Sequence, residues 1–378
     1  MIPFNRPMVT EKSKQYAMDV LSGDHQHGDG KYSIEASKMI SKLVGGGVVM
    51  LTPSCTHALE MASMLANIGP GDEVILPSYT FTSAATAITK FGGSPIFVDI
   101  DPSTKGIDVQ KTREAITNRT KAISWVNYAG IAPDIDGIKS LAKEFGLILI
   151  EDNAHGLGGT YKGKPLGSFG DFATQSFHAT KNIQCGEGGA IVINDLKYTE
   201  RAEIIREKGT DRSKFLRGEV QKYKWVDQGS SYLLAESLAA ILLGQLECFE
   251  EIQNSRKSYW EAFKSAFPSE VFDSGIRAIS IPENEVNVAH MFYVEIENLN
   301  ARNQIENHFG SNNISLNRHY QPLHSAGAIK NLGISHQKDC FNSTAMADSL
   351  YRIPLWSYMN PKVVNEIVEV IEKIKISK

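Results

Sequence analysis

The apolar run Leu147-Ile-Leu-Ile150 leads straight into Glu151-Asp-Asn-Ala-His155. A run of this kind reads as a buried strand, and in open α/β sheets ligands bind beyond the carboxyl ends of the strands. Asp152 and His155 therefore stand where chemistry can be done, although on this segment alone Asp152 could equally be a loop or N-cap aspartate and His155 a core histidine. A second β-like segment, Gly170–Asn182, ends in a small polar cluster that contains Ser176 and Lys181, followed by Cys185-Gly-Glu-Gly-Gly189. Glycines there let backbone approach closely around a lysine, which by itself is more often a solvated surface group. In a third segment, Val48–Glu60, a short apolar strand turns through Ser54, Cys55 and Thr56 into a helix. The unpaired N–H groups and dipole of that helix start make a phosphate seat, unless Ser54 or Thr56 is a plain N-cap.

Pyridoxal phosphate (PLP) needs these three groups together. A lysine amine carries its aldehyde, a carboxylate keeps its ring nitrogen protonated and a helix N-terminus holds its phosphate. An aromatic face over the ring completes such a site, with Phe81 as candidate and Tyr79 second. Two other nucleotide motifs come close. Gly158–Pro165 resembles a P-loop, but Pro165 stands where a magnesium-binding hydroxyl belongs, and Gly156–Tyr161 begins like a dinucleotide fingerprint but ends in tyrosine.

The elements that must carry these residues are α/β in kind. Short β-rich runs at Val74–Leu76, Pro95–Val98, Lys121–Val126 and Leu147–Ile150 alternate with helical patterns at Thr82–Phe91, Val109–Ile116 and Ile135–Phe145, the signature of parallel βαβ units. Longer helical stretches follow at Leu196–Lys208 and Leu233–Phe263. A small α+β unit then has strand candidates at His290–Ile296, Ser315–Leu316 and Arg352–Leu355 and a closing helix at Val363–Ile376. The expected division is a large α/β domain, residues 1–250, and a small C-terminal α+β domain, residues 251–378. With 378 residues, 42% of them hydrophobic, the chain can bury a large core. Lys+Arg 39 against Asp+Glu 43 gives no electrostatic reason to expect nucleic acid or a membrane surface as partner. No apolar run is long enough to span a bilayer and no secretory signal is read, so a cytoplasmic protein is expected. Cys55, Cys185, Cys248 and Cys340 are scattered, which suggests neither a disulfide framework nor a metal site.

Along nearly its whole length the chain resembles the fold-type-I sugar-nucleotide aminotransferases of the DegT/DnrJ class. The matching segments are Gly69–Phe81, Glu151–His155, Ser176–Asn182 and Gly186–Gly189. Met1–Asn5, Leu51–Thr56, Ile204–Ser213 and Asp227–Leu233 draw the likeness nearest to the branch that makes dTDP-4-amino-4,6-dideoxygalactose. The resemblance implies a PLP transferase with Lys181 as the Schiff-base lysine and Asp152 as partner of the pyridinium nitrogen. It further implies His155 near the phenolic oxygen, Phe81 over the ring, and the Cys55 and Thr56 amides with the Ser176 hydroxyl on the phosphate. Ser231 aligns with a position that reaches the phosphate of the neighbouring subunit, which implies a homodimer with shared active sites. Arg212, Arg318, His319 and Tyr320 are the implied contacts of a dTDP-linked keto sugar.

By the same resemblance the reaction is transamination of a dTDP-4-keto-6-deoxyhexose with L-glutamate as donor, giving a 4-amino-4,6-dideoxyhexose of galacto or gluco configuration and 2-oxoglutarate. A lipopolysaccharide O-antigen or related glycan is the implied destination. Lys181 argues against the dehydratase branch, which carries histidine there, but does not separate C4 from C3 amination. A non-catalytic PLP-binding regulator is the reading from another class.

Overall fold

A computed structural model describes residues 1–273, 275–283, 285–334 and 339–375. Its larger sheet contains β1 (Val48–Thr52), β2 (Glu73–Pro77), β3 (Ser94–Val98), β4 (Thr120–Val126) and β5 (Ile148–Asp152). A two-stranded ribbon, β6 (Thr160–Tyr161) with β7 (Lys164–Pro165), precedes its last strands, β8 (Phe172–Ser176) and β9 (Gly189–Ile193). The order is β1-β9-β8-β5-β4-β2-β3. β9 runs against both neighbours and every other pairing is parallel. The strands are nearly continuous apolar runs because helices cover both faces, as parallel sheets require. On one face Met50, Val74, Leu76, Ile150 and Ile191 pack with Ala58, Met61, Ala62 and Leu65 of α3 (Cys55–Leu65). On part of the other, Ile75, Ile123, Trp125 and Leu149 pack with Ile138 and Leu141 of α6 (Ile135–Phe145).

A second sheet, antiparallel throughout, joins β10 (Ile276–Ala278), β11 (Phe292–Ile296), β12 (Asn317–Arg318) and β13 (Leu350–Ile353) in the order β10-β11-β13-β12. Its core, including Trp260, Phe263, Phe292, Phe309 and Ile367, continues into Tyr79, Val126 and Tyr128 of the larger unit. The N-terminal segment straps the two together: Ile2 forms a parallel bridge with Ile314, and Asn5 Nδ2 donates to Ala179 O at 3.1 Å.

The large fold matches the α/β expectation. Differences fall at element ends and in the C-terminal third. The helical stretch read over Leu233–Phe263 is two helices, Glu236–Leu246 and Phe249–Ala266. The break falls at Glu247 and Cys248, where an apolar stripe runs across a bend that periodicity does not register. The strand expected at Ser315–Leu316 forms at Asn317–Arg318, in register with Arg352 and Tyr351. The closing helix is Pro361–Glu372, begun by the Asn360 cap and Pro361, and Ile376 of the expected range lies outside the described residues.

Candidate active site

Strand ends and one helix start bring the chemistry-bearing residues together. Thr52 ends β1 opposite Gly189, and the chain turns through Ser54, whose Oγ caps α3 by accepting from His57 N at 3.2 Å. Ala58 N returns to Ser54 O, so the first two helical N–H groups, of Cys55 and Thr56, have no intrahelical acceptor. Gly189 is required beside this turn. A Cβ on it would lie 2.3 Å from the Ser54 carbonyl carbon and 2.4 Å from Cys55 N, and backbone cannot yield as a flexible side chain would.

Asp152 ends β5, paired with Val126 on one side and Thr174 on the other. Its Oδ1 accepts from Ala154 N at 3.1 Å and from Thr174 Oγ1 at 3.5 Å. Burial pushes this carboxyl up, opposed by the Ala154 N–H, the Lys181 charge and Thr174. Lys181 follows β8 in the turn before β9. Burial lowers its amine from 10.5 to about 8, against the opposite pull of Cys55 and Asp152, with Arg352 adding to the fall. A buried amine near 8 has a substantial neutral, nucleophilic fraction at ordinary pH.

These side chains line one cavity of about 480 Å³, together with Phe81, His155, Ser176, His319 and Tyr320. Burial holds the His155 imidazole well below the usual histidine range, and the charge of Lys181 and neighbouring His290, His319 and Arg352 add to this. Its Nδ1 accepts from Ala129 N at 3.4 Å, so the neutral ring carries its proton on Nε2, 3.5 Å from Tyr320 Oη. His290 stacks on His155 with centroids 4.2 Å apart, and His319 stacks on Tyr320 at 3.9 Å. Phe81 is 56% exposed and meets Tyr320 at the cavity wall, whereas Tyr79 is fully buried behind it and donates to His319 O.

Three expected site residues stand outside the cavity. Ser231 is exposed and bridges to Glu207. Arg212 pairs with the same Glu207 at 2.5 Å, and Arg318 pairs with Glu306 at 2.7 Å and with Tyr351 Oη at 2.5 Å. Within one subunit, these arginines are drawn to nearby acids rather than to the cavity. Conversely, Phe4, Asn5, Glu187, His290 and Arg352 line the cavity without having been named as site residues, although Phe4, Asn5 and Glu187 lie in segments that carry the family resemblance. For Arg352 the signal was present as a cation inside a strand whose neighbours, Tyr351 and Ile353, are core residues.

The mostly parallel sheet with one reversed strand, joined to a small antiparallel unit, is the fold of PLP-dependent aminotransferases. The chain belongs to the DegT/DnrJ/EryC1/StrS aminotransferase family, whose model matches residues 7–372. It is 28% identical to the spore coat polysaccharide biosynthesis protein SpsC of Bacillus subtilis over 99% of this chain and 97% of SpsC. Among solved structures it is similar to Spr1654 from Streptococcus pneumoniae, described as a sugar aminotransferase and solved in a PLP form, at 28% identity and TM-score 0.87, covering 98% of this chain and 97% of that one. An aminotransferase from Psychrobacter cryohalolentis shares the fold at TM-score 0.91 and 21% identity, with 98% of each chain covered. The protein is thus a PLP-dependent aminotransferase of a sugar-aminating family. No helix among the described residues is long and apolar enough to cross a membrane.

Proposed function

We propose that this chain transfers the amino group of L-glutamate to C4 of a dTDP-4-keto-6-deoxyhexose, giving a dTDP-4-amino-4,6-dideoxyhexose and 2-oxoglutarate. The observation that carries the reading is the convergence of Lys181, Asp152 and the open start of α3 on one cavity. The sequence likeness to the C4-aminating branch and a relative named for polysaccharide biosynthesis support the sugar substrate.

The residues present fit the cofactor. The Cys55 and Thr56 N–H groups, with Ser176, would hold the phosphate, Lys181 would carry the aldehyde, Phe81 would offer an aromatic face and Asp152 a carboxylate for the ring nitrogen. When bound, PLP supplies an electron-accepting ring joined to the nitrogen being transferred. A cation opposite Asp152 offsets the cost of its burial and keeps the carboxylate ionised. His155, with its proton on Nε2, donates toward the cavity as a neutral group. Lys181, once its amine is free, would act as the base that takes the proton from the donor carbon bearing nitrogen and, in the separate second half-reaction, as the acid that delivers a proton to the sugar carbon being aminated, its lowered basicity matching it to both tasks. His319 and Tyr320 form the wall against which the sugar nucleotide lies. Arg212 and Arg318 reach the nucleotide only after exchanging their present acidic partners.

The protein acts as a homodimer, with Ser231 facing the partner's phosphate seat. Phe215, Leu216, Tyr223, Trp225 and Val226 are all exposed on the segment leading to Ser231, an apolar surface that a second copy would cover. The chain divides into a cofactor-binding unit, 1–250, and a smaller unit, 251–378, that closes over it. Incubation with dTDP-4-keto-6-deoxyglucose and L-glutamate tests the reading, the product being examined by mass spectrometry and NMR. A C4 amine is expected, absent with Lys181→Ala. A C3 amine, or cofactor bound with no turnover, overturns it.

A further inference from the structure

Arg206 and Arg256 are buried and Arg352 is half-buried; Arg206 and Arg352 each keep a buried Nε without a partner, but only Arg352 also lacks a carboxylate among the described residues. Arg256 spends its guanidinium on the carbonyls of Ala289 at 2.9 Å, His290 at 2.7 Å and Leu355 at 3.5 Å. Arg206 pairs with Asp29 and donates to Leu51 O. Arg352 differs. Among the described residues its side chain makes one hydrogen bond, a long contact from Nη2 to Arg318 O at 3.4 Å, its Nε is buried without a partner, and no carboxylate pairs with it. The guanidinium carbon lies 4.3 Å from the centre of the Phe4 ring, and the side chain lines the same cavity as Lys181. A largely desolvated cation with unused donors is costly unless an anion completes it.

The anion must come from the reaction. Arg352 lines the same cavity as Lys181, His155, His290 and His319, and its positive charge acts on all four. An amino-acid donor places a carboxylate on the very carbon whose amine must reach that lysine. A sugar nucleotide, in contrast, has most of a hexose ring between its carbonyl carbon and its diphosphate. We infer that Arg352 is the docking point for a carboxylate of the amino donor, binding it through the planar guanidinium and leaving the nucleotide to residues nearer the surface. This rests on the aminotransferase reading above and adds to it a residue that selects the donor.

The experiment compares PLP-loaded wild type, Arg352→Gln and Arg352→Lys. The visible band of the bound cofactor reports that the site is intact. Glutarate, a dicarboxylate without an amine, is titrated by calorimetry, dTDP is titrated in parallel, and the half-reaction with L-glutamate is followed by loss of the band. In Arg352→Gln the affinity for glutarate and the KM for L-glutamate worsen about 10- to 100-fold, while dTDP affinity stays within about threefold, as expected for removal of one charge-assisted contact. Arg352→Lys retains the cofactor and part of the glutarate affinity. Unchanged glutarate affinity in the glutamine variant overturns the proposal, as does a fall in dTDP affinity equal to that for glutarate. Failure of wild type to react with L-glutamate counts against the donor named above, not against Arg352. L-alanine and L-glutamine, which share the α-carboxylate, then decide the matter through the same KM comparison.

Discussion

Asn182 turns its Oδ1 to Nδ1 of His290 at 2.9 Å, while its Nδ2 donates to Val288 O at 2.7 Å and to Gln253 Oε1 at 2.9 Å. The amide is thereby oriented, and it fixes the histidine in turn: Nδ1 carries the proton and Nε2 keeps its lone pair. His290 is the ring stacked on His155, so the residue next to Lys181 in sequence sets the stack on the cavity wall. Asn182→Leu removes one acceptor and two donors at a partly buried point and is expected to cost about 1–3 kcal/mol. Urea unfolding of the PLP-loaded protein checks this, a lower midpoint at unchanged slope being the expected result. An unchanged midpoint would show that the amide does not hold the ring.

The serine that caps α3 stands at the edge of the proposed phosphate seat. Ser54 caps α3 and also lines the cavity, so its two roles can be separated. Ser54→Ala loses the cap and is expected to destabilise the protein by about 0.5–2 kcal/mol. Ser54→Asp retains a cap of equal quality but sets a negative charge against the place where a phosphate should sit. Thermal unfolding of the cofactor-free protein should therefore rank wild type and the aspartate variant together above the alanine variant. Equilibrium dialysis with PLP should single out the aspartate variant as the weak binder. If aspartate leaves PLP affinity intact, the phosphate lies elsewhere.

Much of this site is legible in sequence because it is built from strand ends. An apolar run that stops at an acid, as at Ile150–Asp152, announces both the strand and its functional end. The Ser54–Thr56 turn and Lys181 are local in the same sense, and all of them converge on one cavity. What could not be read is what the tertiary fold supplies. Arg352 enters from the small sheet, in register with Tyr293, and His290 from the segment just before β11, both far along the chain and placed only by packing. Arg318 and Arg212 look like ligand residues by type, yet each lies near a carboxylate, Glu306 or Glu207, that occupies it within the subunit. The bend at Glu247 and Cys248 was hidden because the residues around it are apolar on both sides.

The basicity of Lys181 sets how cofactor uptake depends on pH. Only the neutral amine attacks an aldehyde, so the rate at which cofactor-free protein captures PLP should rise about tenfold per pH unit at low pH and level off near 8, the value to which burial has lowered the group. An ordinary lysine would keep rising toward about 10.4. The negative charge of Asp152 favours the ammonium form and so raises the value. Asp152→Asn should therefore move the plateau to lower pH, even as it weakens retention of the cofactor. Stopped-flow absorbance across pH 5–10 checks both. A plateau that stays in place, or moves upward, in the asparagine variant contradicts the coupling between these two groups.

If a second copy covers the exposed apolar segment before Ser231, assembly and cofactor retention should be linked. Trp225 is 79% exposed and Leu216 65%, a combination a solitary subunit gains nothing from. If a second copy covers them, Trp225→Glu sets a charge in the contact and should shift sedimentation from dimer toward monomer at micromolar concentration. Because Ser231 follows on the same segment, loss of the partner should also weaken PLP binding, although Trp225 lies outside the cavity. The two effects must travel together: raising protein concentration should restore dimer and cofactor in parallel. Ser231→Ala, made in the intact dimer, should lower PLP affinity without changing the sedimentation coefficient, which separates the contact from the assembly. A wild-type protein that sediments as a monomer while holding PLP would remove the need for a shared site. Ser231 and the apolar segment would then be surface features of one self-sufficient subunit.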